Sequence, residues 1–259
     1  MNERGARQAA EFLWSAWQGK RLVDAVPEDY RPRDLEEGYA VQDALGALAG
    51  PAIGWKIAAT SKAGQHHIGV DAPLAGPLYR CFAYASGAIL PAGHLHMRVS
   101  EAEFAFRMAR DLPSRGRPYE PDEVLDAVAA LHLAIEVPDS RYRDFVTIGA
   151  PQLVADASCA SYFVLGPEYT DFRKIDWLAH PVTMHKNGAV AALGKGSNVL
   201  GDPRVALTWI ANDLALRRNG LREGEIITTG TCIVPLEIGP GDAVVADFGI
   251  LGAVSVRFT

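Results

Sequence analysis

The chain has 259 residues, of which 49% are hydrophobic and 22% charged, and its net charge is −6. This length and composition predict a globular protein with one large domain and a sizeable core. The acidic balance contains no basic block, which argues against a nucleic-acid-binding protein, and no apolar run approaches the ~20 residues that span a bilayer.

The three cysteines, Cys81, Cys159 and Cys232, are scattered along the chain and form no Cys-x-x-Cys pair. Reduced thiols are therefore the expected state. The first residues also lack the apolar core of a signal peptide. We therefore expect a cytoplasmic protein.

Helical spacing dominates the first fifty residues. Apolar residues between Ala9 and Trp17 recur at helical intervals, and a second helix is predicted from Asp34 to the Gly50-Pro51 stop signal. Glu37, three residues after Asp34, would complete a capping box. Residues 1–52 are therefore predicted to form an N-terminal helical segment, and residues 53–259 a β-rich domain that contains the functional site.

Short apolar runs separated by Gly, Pro, Asp and Asn predict strands over most of the remaining chain. The runs are Ala88–Leu90, Val99–Met108, Leu131–Val137, Ser161–Leu165, Pro181–His185 and Ala243–Phe258. Two helices are predicted among them, one near residues 122–130 and one beginning near Pro203. Because the regular βαβ alternation of a doubly wound sheet is absent, we predict an α+β fold.

Three carboxylates lie in runs that otherwise resemble buried strands. Glu101 and Glu103 share one face of a strand, with their Cα atoms roughly 6.6 Å apart, while Phe104 lies on the other face. Glu136 ends a second apolar run. Burying three like charges together is unfavourable unless they are neutralised, and a hard divalent cation with oxygen ligands would do so. The alternative is a solvated face of an antiparallel sheet, on which Glu-x-Glu is common.

Lys56 is the second candidate for a chemical role. Bulky apolar residues at positions 53, 55 and 57 share one strand face, so Lys56 points to the opposite face between two small residues. A desolvated lysine can bind a carboxylate or move a proton. A lysine whose ammonium reaches solvent from an edge strand is the alternative.

Several other motifs yield weaker or negative predictions. The Thr228-Thr229-Gly230-Thr231 stretch could hold a carboxylate or form a simple turn. Asp139 and Arg141 follow the Glu136 strand, either as a structural ion pair or with Arg141 offsetting the acidic cluster. The glycine-rich loop at residues 194–203 does not follow the phosphate-loop pattern, and the histidines lack a third partner for zinc. Neither nucleotide binding nor a serine-hydrolase site is predicted.

These motifs, taken in order, resemble the hydratase and decarboxylase branch of the fumarylacetoacetate hydrolase superfamily. The resemblance covers nearly the whole chain and rests on the blocks at residues 54–61, 69–76, 101–103, 135–141, 155–156, 196–203, 229–231, 239–242 and 252–255. The most similar group is the 2-keto-4-pentenoate hydratases of aromatic meta-cleavage pathways.

The resemblance implies a mixed β-roll like the C-terminal domain of fumarylacetoacetase. It also implies a homo-oligomer that binds Mg²⁺ or Mn²⁺ and a small anionic 2-oxo acid. The site residues implied are the metal ligands Glu101, Glu103 and Glu136, the catalytic residue Lys56, and the substrate-binding residues Ser61, Asp156 and Thr231. The implied reaction adds water to 2-hydroxypenta-2,4-dienoate and gives 4-hydroxy-2-oxopentanoate.

Two departures from the family pattern bear on the reaction. The segment from Ile57 to Gly64 has no His-x-x-Glu, so C–C hydrolysis is not expected. The segment from Asp139 to Phe145 is similar to the decarboxylase branch, so decarboxylation of 2-oxo-3-hexenedioate is the alternative reaction. A non-catalytic partner subunit of such a complex is the alternative outside enzymology.

Overall fold

The computed structural model describes residues 1–259 as six α-helices and thirteen strands. The helices are α1 (Glu3–Gln18), α2 (Leu35–Ala49), α3 (Lys62–His67), α4 (Pro121–Leu125), α5 (Ala150–Ala155) and α6 (Pro203–Arg217). The strands are β1 (Ala52–Ala58), β2 (Leu74–Tyr79), β3 (Ala83–Ala85), β4 (Ala88–Leu90), β5 (Val99–Met108), β6 (Val128–Val137), β7 (Tyr162–Tyr169), β8 (Pro181–Lys186), β9 (Ala189–Lys195), β10 (Ile226–Thr231), β11 (Leu236–Glu237), β12 (Ala243–Asp247) and β13 (Ala253–Phe258).

Two sheets form the body of the molecule. The larger has the strand order β2-β1-β10-β5-β6-β7-β3, with β11 added to β5, and the smaller has the order β4-β13-β12-β8-β9. The larger sheet is mixed, since β1 pairs with β10 in parallel while β5 and β6 are antiparallel. It curls into a half-barrel, which confirms the predicted α+β fold of the β-roll type.

The two faces of β5 have opposite environments, as the alternation of its residues predicts. Phe104 and Phe106 pack into the main core, where the Phe104 ring lies edge-on to Phe248 at 5.1 Å and to Trp177 at 5.6 Å. Glu101 and Glu103 therefore share the other face. The predicted limits of this strand, Val99 and Met108, are confirmed.

The N-terminal helices pack on the body beside α5. Asp34 caps α2 by accepting a hydrogen bond from the Glu37 amide at 2.9 Å, as predicted, while the Glu37 side chain accepts from the Arg33 amide instead of the cap residue. A separate apolar cluster joins α1 and α2 to the rest of the chain, and it includes Leu13 and Tyr142. The division of the chain at residue 52 stays a prediction.

The short helices differ most from the prediction. The helix predicted near residues 122–130 is wrong in extent, because α4 ends at Leu125 and the strand β6 begins at Val128. The short helices α3 and α5 were not predicted, because six residues are too few to establish a helical period. None of the helices combines the length and the hydropathy that a membrane-spanning segment requires.

Candidate metal centre and active site

The three predicted carboxylates lie together in the larger sheet, where β5 begins and β6 ends. Glu101 lies directly opposite Glu136 in the β5–β6 register, and Glu103 lies two residues further along β5, opposite Ala134. One carboxylate oxygen from each glutamate lies within 4.8 Å of the other two. Glu103 and Glu136 are 0% exposed, while Glu101 remains partly exposed. The cluster is therefore a buried pocket of negative charge with one accessible side.

The oxygens of this cluster are available for a cation. Glu103 Oε1 and both oxygens of Glu136 are buried and receive no hydrogen bond. A buried carboxylate oxygen without a donor is strongly disfavoured unless a cation compensates it. Carboxylate oxygens are also the ligands that Mg²⁺, Mn²⁺ and Ca²⁺ prefer. The residues present therefore fit a hard divalent cation.

Glu103 is held in place by the neighbouring strand β10. Thr228 donates its hydroxyl hydrogen bond to Glu103 Oε2, and the Gly230 amide donates to the same oxygen at 2.9 Å. The β5–β10 register shifts between Thr228 and Thr231, which marks a bulge. Gly230 has a φ of 98°, and a Cβ there would lie 1.8 Å from Thr60 Oγ1. Only glycine therefore fits where the bulge turns its amide toward the carboxylate.

The electrostatics of the cluster favour neutralisation. Burial and the neighbouring charge of Glu136 raise the pKa of Glu101 to about 7 and raise the pKa of Glu103 well above its usual range. The charge of Lys56 and the contact with Glu103 oppose the rise in pKa at Glu101. Without a bound cation, burial thus favours the protonated form of these carboxyls, and a bound cation would favour the ionised form.

Lys56 faces the same cluster from β1. Its side chain is 4% exposed, and its Nζ lies 3.0 Å from Glu136 Oε1. This contact is an ion pair without hydrogen-bond geometry, since neither oxygen of Glu136 accepts a hydrogen bond. The ammonium instead donates to the backbone carbonyl of Ser158 at 3.3 Å. The alternative in which the Lys56 ammonium reaches solvent is therefore wrong, because the ammonium points into the protein.

The charge of Lys56 is stabilised by the carboxylates. Burial lowers its pKa, but the charges of Glu136 and Glu101 outweigh burial and raise the pKa above its ordinary value. Lys56 therefore remains a cation at neutral pH. A buried cation beside the metal pocket formed by Glu101, Glu103 and Glu136 can bind the carboxylate of an anionic substrate.

The Ser158 carbonyl comes from an unusual turn between α5 and β7. Ala157, Ser158 and Cys159 have φ values of 53°, 51° and 63°, a left-handed conformation that costs about 1 kcal/mol or more for each residue. The Ser158 hydroxyl donates to the Ala75 carbonyl at 2.8 Å, and the Cys159 carbonyl accepts from the Asp139 amide at 3.0 Å. Tertiary contacts therefore hold this turn in place.

The three predicted substrate-binding residues lie in different environments. Ser61 caps α3, where its hydroxyl accepts from the Gly64 amide at 3.0 Å. Thr231 lies opposite Glu103 in the sheet register, and its hydroxyl donates to the Ile233 carbonyl at 3.0 Å. Asp156 is fully buried beneath the left-handed turn. Substrate binding by Ser61 and Thr231 stays a prediction. Asp156 has no exposed atom for such a contact, because both of its oxygens accept hydrogen bonds within the protein.

Asp139 and Arg141 form a buried ion pair. Asp139 Oδ1 also accepts from the backbone amides of His96 and Met97, at 2.8 and 2.9 Å. Of the two alternatives left open by the sequence, the structural ion pair is therefore the one observed.

The sequence indicated that the hydroxyls and amides of residues 228–231 could hold a carboxylate, and the Thr228 hydroxyl and the Gly230 amide hold that of Glu103. The glycine inside the β10 run also indicated a bulge. The Ser158 carbonyl, which holds Lys56, was not predicted. No sequence signal identifies the backbone carbonyl of Ser158.

Comparisons with known proteins agree with this geometry. The family model described as "Fumarylacetoacetate (FAA) hydrolase C-terminal" matches residues 63–259. The chain belongs to the fumarylacetoacetate hydrolase family. It is 34% identical to a 2-keto-4-pentenoate hydratase of Burkholderia vietnamiensis (strain G4 / LMG 22486), over 80% of this chain and 78% of that protein. It is 30% identical to a 4-oxalocrotonate decarboxylase of Pseudomonas sp. (strain CF600), over 96% and 95% of the two chains.

A member of this family with a solved structure shares the whole fold. The 4-oxalocrotonate decarboxylase from Pseudomonas putida G7, complexed with magnesium and adipate, superposes with a TM-score of 0.91 at 28% identity. The superposition covers 100% of this chain and 99% of that one. Hydratases and a decarboxylase of the family are therefore both similar to this chain over most of its length.

Proposed function

We propose that this protein is a metal-dependent lyase that adds water to 2-hydroxypenta-2,4-dienoate and gives 4-hydroxy-2-oxopentanoate. The observation that carries the proposal is the meeting of Glu101, Glu103 and Glu136 with the Lys56 ammonium in one buried pocket. Full-length similarity to 2-keto-4-pentenoate hydratases supports the substrate class.

The three glutamates would hold Mg²⁺ or Mn²⁺ in this proposal. When bound, the cation would stabilise the negative charge that develops on the 2-oxygen of the substrate. Glu103 would be kept in position by its hydrogen bonds from Thr228 and Gly230. Ser61 and Thr231 are retained as proposed substrate contacts.

Lys56 would bind the substrate carboxylate and assist the proton transfers. Its ammonium keeps its proton at neutral pH, because the adjacent carboxylates raise its pKa. A fixed cation at this position would orient the dienoate so that the oxygen of water adds at C4. In net terms the enol proton and one proton of water end on C5 and C3, and the second proton of water stays on the new hydroxyl.

The nearest alternative is decarboxylation of 2-oxo-3-hexenedioate, whose second carboxylate would need a free cation. The segment that resembles the decarboxylase branch offers Arg141 and Arg143. Arg141 is buried and paired with Asp139, and Arg143 Nε lies 3.1 Å from Asp24 Oδ1. Arg141 is therefore committed within the protein, whereas the Arg143 side chain is 64% exposed and its surface pair with Asp24 is weak, which leaves Arg143 free to bind a second carboxylate. The product assay decides between the two reactions.

The experiment that tests the function is a parallel product assay on both substrates with Mg²⁺, with and without a chelator. We expect metal-dependent formation of 4-hydroxy-2-oxopentanoate from 2-hydroxypenta-2,4-dienoate. Release of carbon dioxide from 2-oxo-3-hexenedioate as the faster reaction would move the protein to the decarboxylases. Inactivity on both substrates would contradict the proposal.

A variant of the proposed catalytic residue sharpens this assay. Lys56→Met keeps the length of the side chain but removes the ammonium, so we expect kcat to fall by about a hundredfold or more. Binding of Mn²⁺, measured by calorimetry, should survive, because the three carboxylates remain. A normal kcat would remove Lys56 from the mechanism.

We also propose that the protein assembles as a homo-oligomer, as the family resemblance implies. Analytical ultracentrifugation across a range of protein concentrations tests this proposal. A monomer at every concentration would contradict it.

A further inference from the structure

Asp156 is a buried carboxylate that the proposed chemistry does not use. It is 0% exposed, and both of its oxygens are engaged. Oδ1 accepts a hydrogen bond from Trp17 Nε1 at 2.6 Å. Oδ2 accepts from the Ser140 hydroxyl at 2.8 Å and from the Arg141 amide at 2.7 Å. With no free oxygen and no exposed surface, this carboxylate has no atom to offer a substrate.

The three donors come from two parts of the chain that are distant in sequence. Trp17 lies on the N-terminal helix α1, whereas Ser140 and Arg141 lie in the turn that directly follows the strand of Glu136. The Arg141 guanidinium also lies over the Trp17 ring, 4.9 Å from its centre. The carboxylate thus joins α1, the end of the Glu136 strand, and the left-handed turn that begins at residue 157.

That turn leads directly to Lys56. The Cys159 amide donates to the Asp156 carbonyl at 3.1 Å, which closes the turn, and the Ser158 carbonyl accepts from Lys56 Nζ at 3.3 Å. No other uncharged group of the protein accepts a hydrogen bond from this ammonium. The position of the Lys56 charge relative to Glu136 therefore depends on where the turn is held.

We propose that Asp156 is a positioning residue that fixes the Lys56 ammonium against the metal pocket through the Ser158 carbonyl. Trp17 and Ser140 donate to different oxygens of Asp156, so the N-terminal helix contributes to turnover without touching the substrate. This inference rests on the proposed function, in which Lys56 acts on the substrate.

The test removes one donor to Asp156 at a time. Trp17→Phe removes the indole N–H together with part of the ring volume, and Ser140→Ala removes the hydroxyl, which also accepts from the Tyr142 amide at 3.1 Å. Trp14→Phe is the matched control, because Trp14 lies on the same helix and stacks on Trp17 but makes no hydrogen bond to Asp156. Each substitution is made in the wild type and in Lys56→Met, and thermal melting verifies that each variant is folded.

Steady-state kinetics with the hydratase substrate gives the first readout. In the wild-type background we expect Trp17→Phe and Ser140→Ala each to lower kcat about tenfold, with KM changed less than about twofold and Trp14→Phe without effect. In the Lys56→Met background the same substitutions should change the residual kcat less than about twofold, because they act through the lysine. An equal loss in both backgrounds would overturn the proposal, since it would indicate a general structural effect.

The Mn²⁺ dissociation constant, measured by calorimetry without substrate, gives a readout that does not depend on the proposed function. An ammonium released from the Ser158 carbonyl would keep its attraction to Glu136, 3.0 Å away, and would compete more strongly with the cation. We therefore expect Trp17→Phe to weaken Mn²⁺ binding about threefold or more while Lys56 is present, and to leave it unchanged in Lys56→Met. If the wild type is inactive on both substrates, the proposed function fails and this measurement alone decides. An effect of Trp17→Phe on the Mn²⁺ dissociation constant that is equal in both backgrounds would then overturn the role of Asp156.

Discussion

Glu103 is the glutamate of the metal pocket whose side chain is fixed by hydrogen bonds. One oxygen is fixed by Thr228 and Gly230, and the other is buried without a donor. The side chain is therefore held in one orientation with a free oxygen toward Glu101 and Glu136. A fixed ligand has little conformational freedom left to lose when a cation binds.

Glu103→Gln tests this residue with a neutral side chain of the same shape. We expect Mn²⁺ affinity to fall by about a hundredfold or more and metal-dependent turnover to be lost, because the pocket loses a charged ligand. Thermal melting without metal should show equal or higher stability, since a buried charge has been removed. Wild-type Mn²⁺ affinity in calorimetry would exclude Glu103 as a ligand.

Asp156 makes a prediction about pH. Burial raises its pKa to about 6, although the neighbouring Arg141 charge opposes the rise, while the unfolded chain has the ordinary pKa of about 4. Near pH 4 and below, the carboxyl holds a proton in both states. Between about pH 4 and pH 6 the native state keeps its proton while the unfolded chain releases it. The free energy of unfolding therefore falls as pH rises, by up to about 3 kcal/mol from this group.

Asp156→Asn cannot titrate, so it should lack this loss. Relative to wild type, the variant should gain about 3 kcal/mol of unfolding free energy between about pH 4 and about pH 7, whatever its absolute stability. Urea unfolding of both proteins across this range measures the difference. A constant difference between the two proteins would show that Asp156 is ionised in the native state throughout.

At the scale of the elements, the left-handed turn at residues 157–159 depends on the strand beside it. Gly76 of β2 has no room for a side chain, because a Cβ there would lie 2.1 Å from the Ala157 carbonyl oxygen. The strand and the turn therefore approach each other more closely than any other residue type allows. Sequence position alone gives no hint of this contact, since the two residues are far apart in the chain.

Gly76→Ala should consequently displace the turn. We expect the free energy of unfolding to fall by about 2 kcal/mol or more. The kcat of the folded fraction should also fall, because the Lys56 acceptor moves. Gly93→Ala is the matched control, since a Cβ at Gly93 meets no atom within 4 Å. Equal urea-unfolding midpoints for the two variants would contradict the tight contact.

The sequence predicted the elements whose character is local. The alternation around Glu101 predicted the strand β5 and its two faces, and the apolar residues flanking Lys56 predicted which way it points. The turn at Ala157 was beyond such reasoning. Ala, Ser and Cys do not favour a left-handed backbone, so only tertiary contacts stabilise it there. The sequence indicated that residues 228–231 could hold a carboxylate, but not that this carboxylate is Glu103, because their pairing depends on the register between two distant strands.

At the scale of the whole molecule, the N-terminal segment is bound into the body by hydrogen bonds as well as by apolar contacts. The Val23 amide donates to the Arg141 carbonyl at 2.8 Å, and the Arg143 amide donates to the Val23 carbonyl at 2.9 Å. The Val26 amide donates to Gln152 Oε1 at 2.9 Å. Buried contacts of this kind link the stability of the two parts.

We therefore expect the segment and the body to unfold as one cooperative unit. Native-state hydrogen exchange of the α1 amides, including that of Leu13, should report the same free energy as the β5 amides. Exchange of α1 at a clearly lower free energy would show that the helices open separately and would support an independent N-terminal unit.

The crowding of carboxylates in the metal pocket has a consequence for the lifetime of the protein in the cell. A ligand that binds only the folded chain stabilises it by about 2.7 kcal/mol when its free concentration is a hundred times its dissociation constant. Because Lys56 is the ammonium that pairs with the three clustered glutamates, depletion of the cation leaves the pocket with an excess of carboxylates over positive charge. Proteases act on the transiently unfolded population, so the abundance of the protein would follow the supply of divalent cation.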